Sequence, residues 1–328
     1  MSKKLIQLAL SAWLFALSFP AAAQQPAKIP RIGFLVGTTG SAASTRTEGF
    51  RQGLRDLGYV EGKNILIEYR YAEGKLERIP GLVTELLQLK IDLLVVANLV
   101  SIQAAKQATD TTPIVMLITA DPVELGIVAD LARPGGNITG IATLIRELSG
   151  KRLELLMEVI PGMSRVGVLW DVNGLSSAIG YKAYESTARA LKTPLQALKL
   201  HGPNPDLDGA FRDAVKGGVR GLITIRTPLL NRYAKQIADH AMKNRLPSMS
   251  EGSDYVEAGG LMSYSANDAD SYRRAAVYVD RILKGTKPAD LPVEQPRKFE
   301  LVINLKTANQ IRVTIPPSVL LRADKVIR

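Results

Sequence analysis

The sequence predicts two doubly wound α/β lobes, one after the other along the chain. Three observations carry that. Short apolar, β-branched runs alternate with amphipathic helical patterns along nearly the whole chain, the signature of parallel sheets flanked by helices. The alternation restarts at Arg165, where "RVGVLW" repeats the Arg, Gly and Leu positions of "RIGFLV" 134 residues earlier. The length of 328 residues suits about two domains, each able to bury its own core.

In chain order, "RIGFLV" (Arg31 to Val36) reads as a buried strand. "TRTEGFRQGLRDLGY" places Phe50, Leu54 and Leu57 on one helical face, with Gly58 as its stop. Strand "NILIEYRY", helix "LERIPGLVTELLQLK", strand "DLLVVAN", helix "SIQAAKQATD" and strand "PIVMLI" follow. After Arg165 the order is "RVGVLW", helix "SAIGYKAYESTARALK", strand "LQALKL", helix "LDGAFRDAVKGG", strand "GLITI" and one helix "LLNRYAKQIADHAMKN". "GGLMSYSANDADSYRRAAVYVDRILKG" gives a strand and an amphipathic helix, and "KFELVINLKTANQI" another such pair. Pattern alone leaves open whether these last pairs extend the second lobe or return to the first.

The N-terminus predicts export. Lys3 and Lys4 precede the apolar run Leu5 to Phe19, Pro20 breaks it, and Ala21-Ala22-Ala23 offers a cleavage site. Removal of residues 1–23 leaves 305 residues, and the apolar run is too short for a membrane span. The absence of cysteine excludes disulfides and a thiol-linked lipid anchor, so a periplasmic location is expected. The net charge of +11 falls to +9 without Lys3 and Lys4. Nucleic acid is not the expected partner, because the basic residues are scattered beside acids, as in "KRLELLMEVI" and "SYRRAAVYVDRILKG", read as solvated helix faces.

Ligands of wound sheets sit beyond the carboxyl ends of the strands, so the residues following each strand are the site candidates. They are Thr39 and Ser41 after the first strand, Asn98 and Ser101 after the third, and Asp121 after the fourth. The second lobe offers Asp171, Asn173, Arg226, Thr227, Asp254 and Tyr264. Hydroxyls and N–H groups at helix starts suit a carboxylate, an Asp suits an ammonium, and aromatic rings suit an apolar body. The plainer alternative is turn and cap chemistry, above all for Ser101 and Asn173. At ligand-contacting positions, Asp121→Ala or Arg226→Ala would weaken ligand binding without disturbing the unliganded fold.

Catalysis is not expected. The two histidines, His201 and His240, follow no strand, and neither a nucleophile elbow nor metal-ligand spacing occurs. "LARPGGNITG" (Leu131 to Gly140) looks like a phosphate cradle, but it precedes a strand, so Pro134-Gly135-Gly136-Asn137 reads as a turn. No metal or cofactor is implied.

Several stretches resemble a known family: "EGFRQGLRDLGYVEGKNILIEYRYAEGK", "ADPVELGIVADLARPGGNITG", "KRLELLMEVIPG", "GGLMSYS", "ADLPVEQPRKFELVINLKTA" and "TIPPSVLLRAD". They are similar, in sequence and order, to ABC-transporter substrate-binding proteins of the tryptophan or aromatic-amino-acid type. The resemblance implies a type I periplasmic binding protein whose two lobes are joined by a three-crossover hinge. It implies lobe 1 over 29–142 plus 265–292, and lobe 2 over 143–264 plus 293–328. The hinge candidates are Ile141 to Glu147, Gly259 to Ser265 and Pro292 to Lys298. A monomer would capture a small carboxylate-bearing solute, an amino acid or aromatic acid, and deliver it to an ABC permease in the inner membrane. A periplasmic sensor input to a receptor is the alternative, and a small-molecule enzyme a more distant one.

Overall fold

The computed structural model describes residues 28–41, 43–143, 145–296 and 298–328, with no account of the side chains of 145–147. The expected signal peptide, Met1 to Ala23, lies outside the described residues, as do positions 144 and 297 within two hinge candidates.

The first lobe is a five-stranded parallel sheet of order β2-β1-β3-β4-β5. Its elements are β1 (Arg31–Val36), α1 (Ser44–Asp56), β2 (Leu66–Tyr71), α2 (Ile79–Gln88), β3 (Leu93–Ala97), α3 (Leu99–Ala108), β4 (Ile114–Ile118) and β5 (Ile138–Ala142). β1, β3 and β4 lie inside the sheet and are covered on both faces, which is why they read as apolar runs, whereas the edge strand β2 alternates and is half-buried; β5, the other edge, is buried but carries Thr139. Pro134 to Asn137 form a turn into β5, with Gly135 at φ +81°, so this stretch is a connector and not a phosphate cradle.

The second lobe carries a seven-stranded sheet, β12-β11-β10-β9-β8-β6-β7. In chain order it runs α4 (Ile145–Val159), β6 (Val166–Asp171), α5 (Leu175–Ala190), β7 (Leu195–Leu200), α6 (Leu207–Lys216), β8 (Gly221–Thr224), α7 (Pro228–Arg232), α8 (Ala234–Lys243), β9 (Ser248–Ser250), α9 (Ser253–Glu257) and β10 (Met262–Ala266). Then come α10 (Asp268–Leu283), which packs on the first lobe, and, back in the second lobe, β11 (Phe299–Asn304), α11 (Leu305–Ile311), α12 (Pro317–Leu320) and β12 (Lys325–Ile327). All ladders are parallel except β10 with β11.

The open question of the last pairs is answered by packing. α10 lies against α1, with Tyr272 and Val279 in the same cluster as Phe34 and Phe50 of the first lobe. A Cβ on Gly53 would fall 2.5 Å from the Arg273 carbonyl, so the two helices meet backbone to backbone. β11 then returns to the second sheet. The chain therefore passes between lobes three times: between β5 and α4, at Asn267, and between Glu294 and β11.

Four expectations are corrected. The second passage is not within Gly259 to Ser265, because Met262–Ala266 is locked as β10 between β9 and β11, so Ser265 and Ala266 belong to the second sheet. Val293 and Glu294 are tied to the first lobe by Glu294 N–H to Gly140 O (3.0 Å) and Ala142 N–H to Glu294 O (2.9 Å). The single helix over 229–244 is two, because Tyr233 leaves helical dihedrals (φ −101°, ψ 12°) and its hydroxyl donates to the Pro203 carbonyl at 2.9 Å. The helix "SIQAAKQATD" begins earlier, at Leu99. β9, α9, α12 and β12 span three to five residues each, too short to show a period in sequence.

Candidate functional site

Between the lobes, at the carboxyl ends of both sheets, lies a cavity of about 970 Å³ with its mouth included. Lobe 1 contributes the ends of β1 (Val36, Gly37, Thr38), β3 (Ala97, Asn98), β4 (Leu117, Ile118, Thr119) and β5 (Ile141), with Thr143 just beyond. Lobe 2 contributes Arg152 of α4, Arg226 and Thr227 after β8, Glu251 after β9, and Ser265 and Ala266 of β10. Arg46 of α1 and Asp268, Ser271 and Tyr272 of α10 close the wall.

Three of these charges, joined by Asp254 of the neighbouring α9, form a cluster across the gap. Arg46 donates to Asp254 of α9 at 2.6 Å and to Asp268 at 2.7 Å. Arg226 donates to the same two carboxylates, at 2.8 Å and 3.0 Å. The lobes are therefore bridged by an alternating Arg–Asp cluster, in which Arg46–Asp254 links α1 of one lobe to α9 of the other. Burial opposes charge on Arg226, but Asp254 and Asp268 outweigh it and push its pKa well above the usual value. Burial likewise opposes ionisation of Asp268, yet Arg226 and Arg46 hold its carboxyl well below the usual range, and Asp254 shifts the same way.

The sign of the pH dependence follows. A carboxylate with a depressed pKa stabilises the fold fully above the unfolded aspartate value of about 4, and that contribution is lost as pH falls through the folded pKa. The melting-temperature gap between the wild type and Asp268→Asn is expected to stay constant from pH 8 to about 5 and to shrink below about 4. A gap that narrowed between pH 8 and 6 would contradict this assignment.

Behind the cluster, the Arg226 N–H donates to Glu251 Oε2 at 3.0 Å, and Glu251 Oε1 accepts from Arg152 at 3.3 Å. Arg152 is 3% exposed. Burial pushes up the phenol of its neighbour Tyr184.

Of the residues picked from sequence, Asn98, Arg226 and Thr227 line the cavity, and Asp254 adjoins it through the two arginines. Thr227 also caps α7, its hydroxyl accepting from Leu230 N–H at 3.1 Å. The others are placed elsewhere. Thr39 and Ser41 are exposed and bond each other at 3.1 Å. Ser101 is fully buried at the start of α3, where its N–H donates to the Asn98 side chain. Asp121 accepts from Val123 and Glu124 N–H groups in a local turn, and Asp171 does the same for Asn173 N–H. Tyr264 stacks on Phe299, with centroids 6.1 Å apart, and offers the wall only a carbonyl for Arg152.

Arg46, Arg152 and Asp268 were missed because they sit in helices, where sequence reading assigns charge to solvent. "KRLELLMEVI" is thus not a wholly solvated face: Arg152 points inward. Asp268 sits in the "ANDAD" stretch that opens α10, and its neighbour Asn267, the cap, was the available signal.

Asn98 combines two roles. It caps α3, accepting from Ser101 N–H at 3.0 Å, and it holds φ +74°, ψ 156°, a strained conformation for a residue with a side chain. Asn98→Ala is expected to cost about 1–2 kcal/mol, by loss of the cap with strain retained, and Asn98→Gly clearly less. Urea denaturation of both variants measures this; equal losses would show that the backbone angle is irrelevant.

Two wound α/β lobes, crossed three times by the chain and closing on a cavity at their strand ends, define the type I periplasmic-binding-protein fold. The sequence profile described as ABC transporter substrate binding protein matches residues 31–327, and the chain belongs to that family. A tyrosine-binding protein of Clostridioides difficile (strain R20291) is 26% identical over 269 residues, 79% of this chain and 74% of that one. A conserved domain protein of Vibrio cholerae O1 biovar El Tor superposes with a TM-score of 0.85 at 25% identity, covering 91% of this chain and all of that one. An ABC domain from Streptococcus pneumonia in complex with L-Trp gives a TM-score of 0.83 at 24% identity, covering 91% and 99%.

Proposed function

We propose that this protein is the periplasmic solute-binding component of an ABC importer. It captures a small carboxylate-bearing solute, an amino acid or an aromatic acid, and hands it unaltered to a membrane permease. The observation that carries this is a cavity walled by both lobes and bridged by Arg46–Asp254, since only a ligand held by both halves can couple binding to closure. The apolar wall of Val36, Ala97, Leu117, Ile118 and Ile141 suits a compact hydrocarbon body, and Arg152, less closely paired than Arg46 and Arg226, suits an acid. The relatives named as binding tyrosine and L-Trp support the same solute class. Export is supported by the charged start, short apolar run and alanine triplet before Gln24. The protein acts as a monomer, its two lobes supplying the whole site.

Screening amino acids and aromatic acids by thermal shift on the chain from Gln24 onward tests this. A true ligand at a hundredfold excess over its Kd is expected to add about 2.7 kcal/mol of stability. A melting point that no acid moves would overturn the proposal.

A further inference from the structure

We infer that Arg152 is the anchor for the ligand's carboxylate, a binding residue supplied by a helix of lobe 2 and not by a strand-end loop. The inference deepens the solute-capture proposal and rests on it. A guanidinium carries five N–H donors and cannot give up its charge. In Arg152, Nε donates to the Tyr264 carbonyl at 2.7 Å, and Nη1 reaches the Tyr184 hydroxyl and Glu251 Oε1, both at 3.3 Å. Nη2 makes no hydrogen bond with the described residues, although Arg152 is 3% exposed and lines the cavity.

The other two cations of the wall are committed. Arg46 and Arg226 each bond both aspartates, at distances from 2.5 to 3.0 Å. Arg152 has one carboxylate neighbour at 3.3 Å, longer than the roughly 2.7–2.9 Å of a charge-assisted bond. That neighbour also accepts the Arg226 N–H. A buried cation so weakly matched is costly unless another anion completes it, and the cavity is where that anion can stand. Three fixed contacts hold the guanidinium in place, so the site is built before the ligand arrives. Across the gap, the buried Thr38 hydroxyl of lobe 1 also lacks a partner. An acid on Arg152 whose body carries a second polar group to Thr38 would tie the two lobes together. The ligand class is a monocarboxylic acid with a compact apolar or aromatic body.

Isothermal titration calorimetry on the chain from Gln24 onward tests the inference with L-tyrosine, L-tryptophan and 4-hydroxybenzoate, each beside its decarboxylated counterpart, tyramine, tryptamine and phenol. The variants are Arg152→Lys and the doubly neutral Arg152→Gln/Glu251→Gln, which avoids leaving a lone buried charge. The wild type is expected to bind one or more of the acids and none of the counterparts. The double variant should weaken acid binding at least 50-fold, and Arg152→Lys by less. Acid binding unchanged within threefold in the folded double variant, or a counterpart bound as tightly as its acid, would overturn the role of Arg152 while leaving solute capture intact. If no acid binds the wild type, the ligand class is wrong. Adding neutral sugars and polyamines to the thermal-shift screen then shows whether solute capture fails with it.

Discussion

Replacing Arg226 with alanine is expected to cost about 3–5 kcal/mol and to lower the melting temperature by on the order of 10 °C. The sequence alone points elsewhere, to a ligand contact whose loss leaves the unliganded protein untouched. The difference is burial: Arg226 is the shared counter-ion of Asp254 and Asp268, and without it two aspartates face each other with Arg46 as their only common cation. Breaking a buried pair from one side strands the opposite charge, which is why the loss exceeds the worth of the pair. The variant should also loosen the link between lobes. Thermal unfolding without ligand measures the first effect, and the radius of gyration by small-angle X-ray scattering the second. A variant as stable and as compact as the wild type would refute the cluster as a bridge. Asp121→Ala, in contrast, removes only the acceptor of an exposed turn and should leave ligand binding unchanged.

Gly140→Ala is expected to be the most damaging single methyl in the chain. Gly140 holds φ +142°, and a Cβ there would fall 2.1 Å from the Met116 carbonyl oxygen and 2.7 Å from the Met116 N. Neither atom can yield, because both belong to the backbone of β4 that pairs with β5. The Gly140 carbonyl also accepts the Glu294 N–H, so a shift of β5 would release the third passage between lobes together with the edge of the first. Loss of several kcal/mol, with little folded protein recovered, is the expected outcome. A variant melting within a few degrees of the wild type would show that β5 is not held against β4 as described.

The fold was legible because both faces of the inner strands are covered. Burial on two sides leaves runs such as "DLLVVA" and "PIVMLI" without polar interruption, and each helix between them shows its apolar stripe. What failed were the pieces with no period to read, such as β9 and α9, and the break at Tyr233, set by a bond to distant Pro203. The site was legible in part for a related reason. Arg226, Thr227 and Asn98 follow strands, and the cavity wall includes all three. Arg46, Arg152 and Asp268 reach the cavity from helices, and their charged partners lie 42 to 222 residues away in sequence. No local pattern records such pairings. The turn residues Asp121, Asp171 and Asn173 carry the same letters as ligand contacts but spend them on neighbouring N–H groups.

Native mass spectrometry of the chain from Gln24 onward, mixed with a pool of amino acids and aromatic acids, tests the grip between the lobes most directly. One small acid per chain is expected, recovered with its mass unchanged after the protein is denatured. A chain that retains no solute, or one that returns it chemically altered, would contradict the account.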